Sequence, residues 1–318
     1  MVGLRAFSPS GGSAGYPFGG ILSGPIPSDP ADIARWDFDT WVNTMIPPGA
    51  RPGESINEYR DEVAGETLSM YINCTASPTP SNVAANFSYG GLDRYGRYGL
   101  SVGNYTGMAR RNNDGSALPS NICPASFRVV SQSIHMLMRF PGWGAGTTPG
   151  TNQLGSSSSR LFFMAGPNGA TGQAENVWNS LTLVTATGGS NRCAYLVYQH
   201  MHGGNVSELI YFNGLDMPTG DSVLLSENRV DNGDGTCSVQ MFLNGQQLSR
   251  REYSGASAGP DAMTNPTGGN YSGPLGGFSV GLRDNIVNNG APFVLYGLSI
   301  KPAMTASQIS ALYQSMLK

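Results

Sequence analysis

Ser222–Tyr253 (SVLLSENRVDNGDGTCSVQMFLNGQQLSRREY) is the stretch whose reading decides the fold. It breaks at two turns. Asp234-Gly235 and Asn244-Gly245 both favour the positive φ angles that tight hairpins require. Between the turns, Cys237, Val239, Met241 and Leu243 alternate with Ser238, Gln240 and Phe242, the period of a strand with one more apolar face. Downstream, Phe278–Leu282 and Phe293–Ile300 read as further strands, and a short helix follows. Thr305 stands at the N-cap position with Gln308 three residues on, a capping box. Ile309, Leu312, Tyr313, Met316 and Leu317 form one apolar stripe. A helix this short is marginal alone, so it must dock on a sheet.

Upstream the strand signals continue. Leu68–Cys74, Phe127–Phe140, Leu161–Met164, Ser180–Thr185, Ala194–Tyr198 and Ser207–Phe212 are apolar or alternating runs. Close, even spacing of about ten or more strands predicts two packed antiparallel sheets. The 44 glycines and 21 prolines suit many turns, and charged residues make up only 12% of the chain.

The hairpin Met241–Gly245 (MFLNG) and the segment Phe293–Tyr313 (FVLYGLSIKPAMTASQISALY) resemble the corresponding pieces of the concanavalin A-like, or laminin G-like, jelly-roll family. The resemblance is best over 131–318. It implies an all-β, antiparallel two-sheet jelly-roll sandwich with an extended N-terminal arm and a short C-terminal helix. Residues 1–30 form the Gly/Pro-rich arm and 31–318 the lectin-like domain. These motifs punctuate a fold and do not name a ligand.

The arm carries sparse apolar anchors at Phe7, Tyr16, Phe18, Ile21 and Leu22. Such a segment orders only against another surface, either its own sandwich or a neighbouring subunit. Nine of the 21 acidic residues fall between Asp29 and Glu66, and Asp29–Asp37 reads as a short helix start.

Catalysis by the retaining β-glucanases of this fold needs two carboxylates about 5–5.5 Å apart. On a strand that requires acids at alternating positions. No triplet of the E-x-D-x-E kind occurs, and the one acid pair at i, i+2 is Asp37/Asp39, flanked by Trp36 and Trp41, which precedes the clearest strands and reads as a turn or helix start rather than a sugar platform. Hydrolysis is accordingly not expected, and no cofactor is implied.

Weak metal candidates are His200 and His202, at strand spacing and needing a third ligand such as His135 or Asp216, and Asp231 and Asp234 in an acid- and Gly-rich turn. Trp143 and Trp178 are candidates for stacking on a sugar ring. Cys74, Cys123, Cys193 and Cys237 show no C-x-x-C spacing and read as reduced, buried thiols.

Net charge is −3 and no Lys/Arg-rich run occurs, so nucleic acid is not an expected partner. Nor is a membrane, since no apolar run of about 18 residues occurs. The N-terminus lacks the apolar core of a signal peptide. These features suggest a non-enzymatic structural protein of a bacteriophage virion, a capsid-decoration or tail/fibre component. Its partners would be copies of itself, neighbouring virion proteins and a host-surface glycan. A carbohydrate-binding lectin module is the alternative, and a glycoside hydrolase of the same fold stands third.

Overall fold

The computed structural model describes residues 22, 24–37, 58–60, 67–72, 100–102, 106–110, 131–139, 159–165, 178–185, 193–202, 206–216, 222–249, 263–264, 278–280 and 293–317. Side-chain surroundings are described for 22, 24–37, 131–139, 222–249, 280 and 293–317. Among the described residues the architecture is mostly β, with antiparallel pairing and one short helix.

The first sheet is built on β1 (Ala34–Asp37), β6 (Gln132–Arg139), β11 (Ser222–Asp231), β12 (Thr236–Leu243), β13 (Gln246–Gln247) and β16 (Phe293–Pro302), in the order β1-β16-β6-β11-β12-β13. Two short strands join its margins: β4 (Leu100–Val102) pairs with β16, and β14 (Met263–Thr264) with β12. The second sheet runs β10-β9-β8-β7-β15-β5-β3-β2. Its long members are β7 (Ser159–Ala165), β8 (Trp178–Thr185), β9 (Cys193–His202) and β10 (Val206–Asp216), a meander of consecutive hairpins. β15 (Phe278–Val280), β5 (Thr106–Arg110), β3 (Thr67–Ile72) and β2 (Glu58–Arg60) complete it.

The first sheet is covered on both faces. β6 and β16 are buried along nearly their whole length, and β11 from Ser222 to Arg229. One face carries Ile134, Met136, Leu225, Met241, Leu298 and Trp36, all essentially inaccessible to solvent. The other face is covered by α1 (Ala306–Ser315) and the segment 22–33. There Leu137, Leu224, Val294 and Tyr296 pack with Leu22, Ile26, Tyr313 and Met316 in one cluster, flanked by Leu312 and Leu317. Helix and sheet meet because the apolar stripe of α1 has nowhere else to be buried.

The helix start is as the sequence indicates. Gln308 N–H donates to Thr305 Oγ1 at 3.3 Å, and Thr305 N–H donates to Gln308 Oε1 at 2.8 Å. The two reciprocal bonds satisfy donors that the first turn leaves open. Asn244 and Gly245 adopt φ of 49° and 75°, the tight hairpin expected of that pair. Asn244 also ties the turn down: its N–H donates to Leu224 O at 2.8 Å, and its Oδ1 accepts from Leu224 N–H at 2.9 Å. Gly245 is needed twice, because a Cβ there would meet Ser310 Cα and Tyr313 Cβ at 3.0 Å.

The other hairpin departs from expectation. Its loop spans four residues between Asp231 and Thr236, and the positive φ angles fall on Gly233 (78°) and Gly235 (86°), not on Asp234. Asp29–Asp37 also differs: it forms a turn and then β1, not a helix. Asp29 Oδ1 accepts from Ala31 N–H at 2.8 Å, the side-chain-to-backbone bond that competes with helix initiation.

Candidate functional site

Most of the candidate positions that the structure describes are structural in the first sheet. Asp231 Oδ1 accepts from Gly233 N–H at 2.9 Å. Asp234 Oδ1 accepts from Thr236 N–H at 3.0 Å and from Thr236 Oγ1 at 2.6 Å. Those bonds hold the Asp234 carboxyl below the usual carboxylate range. Both acids are used in shaping the exposed turn. Among the described residues no group of three or more His, Cys, Asp or Glu is arranged to hold a metal.

Asp37 lies 4.0 Å from Arg35 as an ion pair on β1, and Asp39 lies outside the described residues. Trp36, between them in sequence, is only 1% exposed and offers no platform to a sugar. Cys237 is buried in β12. Leu22 is 3% exposed and bridges to Leu317, so this end of the arm lies on its own chain. Phe7, Tyr16, Phe18, Ile21 and Trp143 lie outside the described residues.

The first sheet holds polar groups that look solvent-facing in the sequence but are buried. His135 is enclosed between two hydroxyls: Nε2 lies 2.9 Å from Ser133 Oγ and Nδ1 2.8 Å from Ser226 Oγ. A neutral imidazole needs one donor and one acceptor partner, and serine supplies either. Burial, with the Lys301 ammonium nearby, pushes the imidazole down to about 3. Lys301 pairs with Asp32, and its Nζ donates to Pro27 O at 3.2 Å. Asn228 clamps the β16–α1 connection: Nδ2 donates to Met304 O at 2.8 Å and Oδ1 accepts from Met304 N–H at 3.0 Å. These contacts fasten the segment 22–33 and the helix to the sheet.

Glu227 sits on the opposite face. Its register partners are Ile134 and Met241, both apolar. Among the described residues the carboxylate oxygens accept no hydrogen bond, and Arg229 Nε lies 3.8 Å away. Burial raises the carboxyl to about 7, against the opposing pull of Arg229. No acid stands directly across the ladder from it on β6 or β12.

The second sheet has a different pattern. Strand alternation sorts β8, β9 and β10 into two faces. On one face the rows are Trp178–Met201–Ser207, Ser180–Gln199–Leu209 and Thr182–Val197–Tyr211. On the other they are Asn179–His200–Glu208, Leu181–Tyr198–Ile210 and Leu183–Leu196–Phe212. The second face is apolar in two of three rows, as a core face is. The first mixes aromatic residues with hydroxyl and amide residues.

Trp178 thus stands on a strand, at the start of β8. The third ligands proposed for His200 and His202 lie elsewhere. His135 belongs to the other sheet, and Asp216 pairs with Cys193 at the far end of β10, beyond a bulge.

No family model matches the chain, and no curated protein matches it. Among solved structures, domain 4 of AbnA, a GH43 extracellular arabinanase from Geobacillus stearothermophilus, is similar at 16% identity and TM-score 0.45, covering 89% of this chain and 98% of that one. The receptor-binding domain of botulinum neurotoxin type G is similar at 8% identity and TM-score 0.46, over 89% of this chain and 51% of that one. A Trypanosoma rangeli sialidase is similar at 12% identity and TM-score 0.45, over 91% of this chain but 34% of the sialidase. The chain therefore spans about half of the neurotoxin domain and a third of the sialidase. At such scores these likenesses bear on neither ligand nor reaction.

Proposed function

We propose that the chain is a non-enzymatic, lectin-like carbohydrate-binding module. In this reading the two sheets stack as a concanavalin A-like jelly roll. The apolar rows of β8–β10 face the apolar face of the first sheet, and the Trp178 face looks outward. The observation that carries the proposal is that face. By register it brings Trp178 and Tyr211, of the residue types that stack on sugar rings, onto one face with Ser180, Thr182, Gln199 and Ser207, of the types that hydrogen-bond hydroxyls. The apolar neighbours of Glu227 support binding without turnover.

A structural role in a bacteriophage virion, as decoration or tail/fibre protein, rests on the arm reaching another subunit. The described end of the arm, 24–30 with Leu22, lies on its own sheet through Leu22 and Ile26, so the lectin-like reading is preferred. The test is a glycan array probed with the full chain and with Trp178→Ala. Binding to one glycan class that the variant loses while remaining folded supports the reading. A silent array, or binding unchanged in the variant, refutes it.

A further inference from the structure

Asp32 lies just before β1 and Lys301 near the end of β16, and their side chains meet although 269 residues separate them in sequence. The pair is almost fully enclosed, at 6% and 5% exposure. We propose that Asp32 and Lys301 condense to an intramolecular isopeptide bond, a self-made covalent staple between the segment 22–33 and β16.

The contacts around the pair sort its atoms into those that stay and one that leaves. Asp32 Oδ1 faces Lys301 Nζ. Asp32 Oδ2 accepts from Asp29 N–H at 3.0 Å, and Lys301 Nζ donates to Pro27 O at 3.2 Å. An amide keeps both outer bonds: Oδ2 becomes its carbonyl oxygen, and the remaining Nζ–H still donates to Pro27. The departing atom is Oδ1. A proton passes from the Lys301 ammonium to Oδ1, which leaves an amine beside a carboxylic acid. Nζ then bonds to the Asp32 Cγ, the Cγ–Oδ1 bond breaks, and Oδ1 leaves as water with a second proton from Nζ. The three ammonium protons end as one amide hydrogen and two on water, so the step needs no oxidant and no cofactor. Ser133 stands opposite Lys301 in the β6–β16 ladder, with its Oγ 2.9 Å from His135 Nε2, so a hydroxyl and an imidazole are at hand to carry the proton. Two groups held in contact react as one molecule, and effective concentrations in such cases reach about 10⁵–10⁸ M. Condensation also removes two charges from a low-dielectric site, and the exclusion of water opposes the reverse reaction. Like a disulfide, the bond would restrict the unfolded chain. It lies in the first sheet, so it stands or falls separately from the glycan-binding reading.

The experiment is mass spectrometry of the full chain, purified folded, incubated at neutral pH and then denatured, alongside Asp32→Ala and Lys301→Arg. Denaturation removes any non-covalent pairing before the mass is read. The expected parent mass falls short of the sequence by one water, and a proteolytic digest contains one linked peptide joining Asp32 to Lys301. Both variants should keep the full mass of their sequences and give no linked peptide. Lys301→Arg preserves the cation, so it keeps the ion pair while removing the amine that condenses. A parent chain of full mass after incubation overturns the proposal. So does a loss of water without that linked peptide, since a cyclised Asp or Asn side chain also changes the mass. Should the variants fail to fold, the parent mass and its digest decide the question alone.

Discussion

Replacing Glu227 by Gln should stabilise the protein at pH 8 and leave it nearly unchanged at pH 4. The carboxyl is buried beside Ile134 and Met241, and its value rises from 4.5 to about 7. A raised carboxyl means that the native state holds its proton to higher pH than the unfolded chain. The associated stability is complete below about pH 4.5, declines as pH rises and is gone above about pH 7. At ~1.4 kcal/mol per pH unit, that interval corresponds to about 3 kcal/mol. Glutamine keeps the shape of the protonated acid and cannot ionise, so the variant escapes the loss. His135 contributes in the reverse sense: its value falls from 6.5 to about 3, so its contribution is present above pH 6.5 and is lost as pH falls towards 3. The two slopes oppose each other between about pH 4.5 and 6.5, which is why the comparison must be between variant and parent. Urea unfolding of both proteins in steps from pH 4 to 8 gives the difference directly. It should grow in favour of the variant from near zero to about 3 kcal/mol. A difference that is constant with pH, or that grows towards acid, would refute the reasoning.

Other substitutions test the packing. Asp32→Asn removes the partner of buried Lys301 and should cost about 3–5 kcal/mol in chemical unfolding, loosening the segment 22–33 from β16. Gly245→Ala combines a positive φ with a Cβ pressed on Ser310 and Tyr313, so thermal denaturation should show a loss of about 1–3 kcal/mol and faster hydrogen exchange in α1. Thr305→Ala breaks the capping box and should cost about 1 kcal/mol, with Thr305→Ser restoring most of it. Ile309→Ala opens a cavity beneath the helix and should cost about 2–5 kcal/mol by urea titration.

The local signals in the sequence translated well where one residue type has one physical solution. Asn244-Gly245, the Thr305/Gln308 box and the stripe from Ile309 to Leu317 are set by backbone φ, orphan donors and a period of 3.6, all visible in a few residues. The burial of Ser226, Glu227, Asn228 and Arg229 was not legible, because four consecutive polar residues look like a solvent edge. Only the cover supplied by α1 and the segment 22–33 on one face, with an apolar face on the other, places them inside. The Asp29–Asp32 stretch misled for a similar reason: its acids serve a turn and an ion pair with Lys301, 269 residues away in sequence. Trp178, His200 and His202 were visible as residue types. Their neighbours Ser207 and Glu208 needed the strand register, which no short sequence window contains.

The central claim, carbohydrate binding without turnover, is tested most directly by exposing the full chain to a broad oligosaccharide array and then assaying the bound sugar for cleavage. The account predicts retention of one glycan class, recovered intact, with affinity reduced at least ~10-fold by Trp178→Ala. Failure to retain any glycan, or release of cleaved sugar, would contradict it.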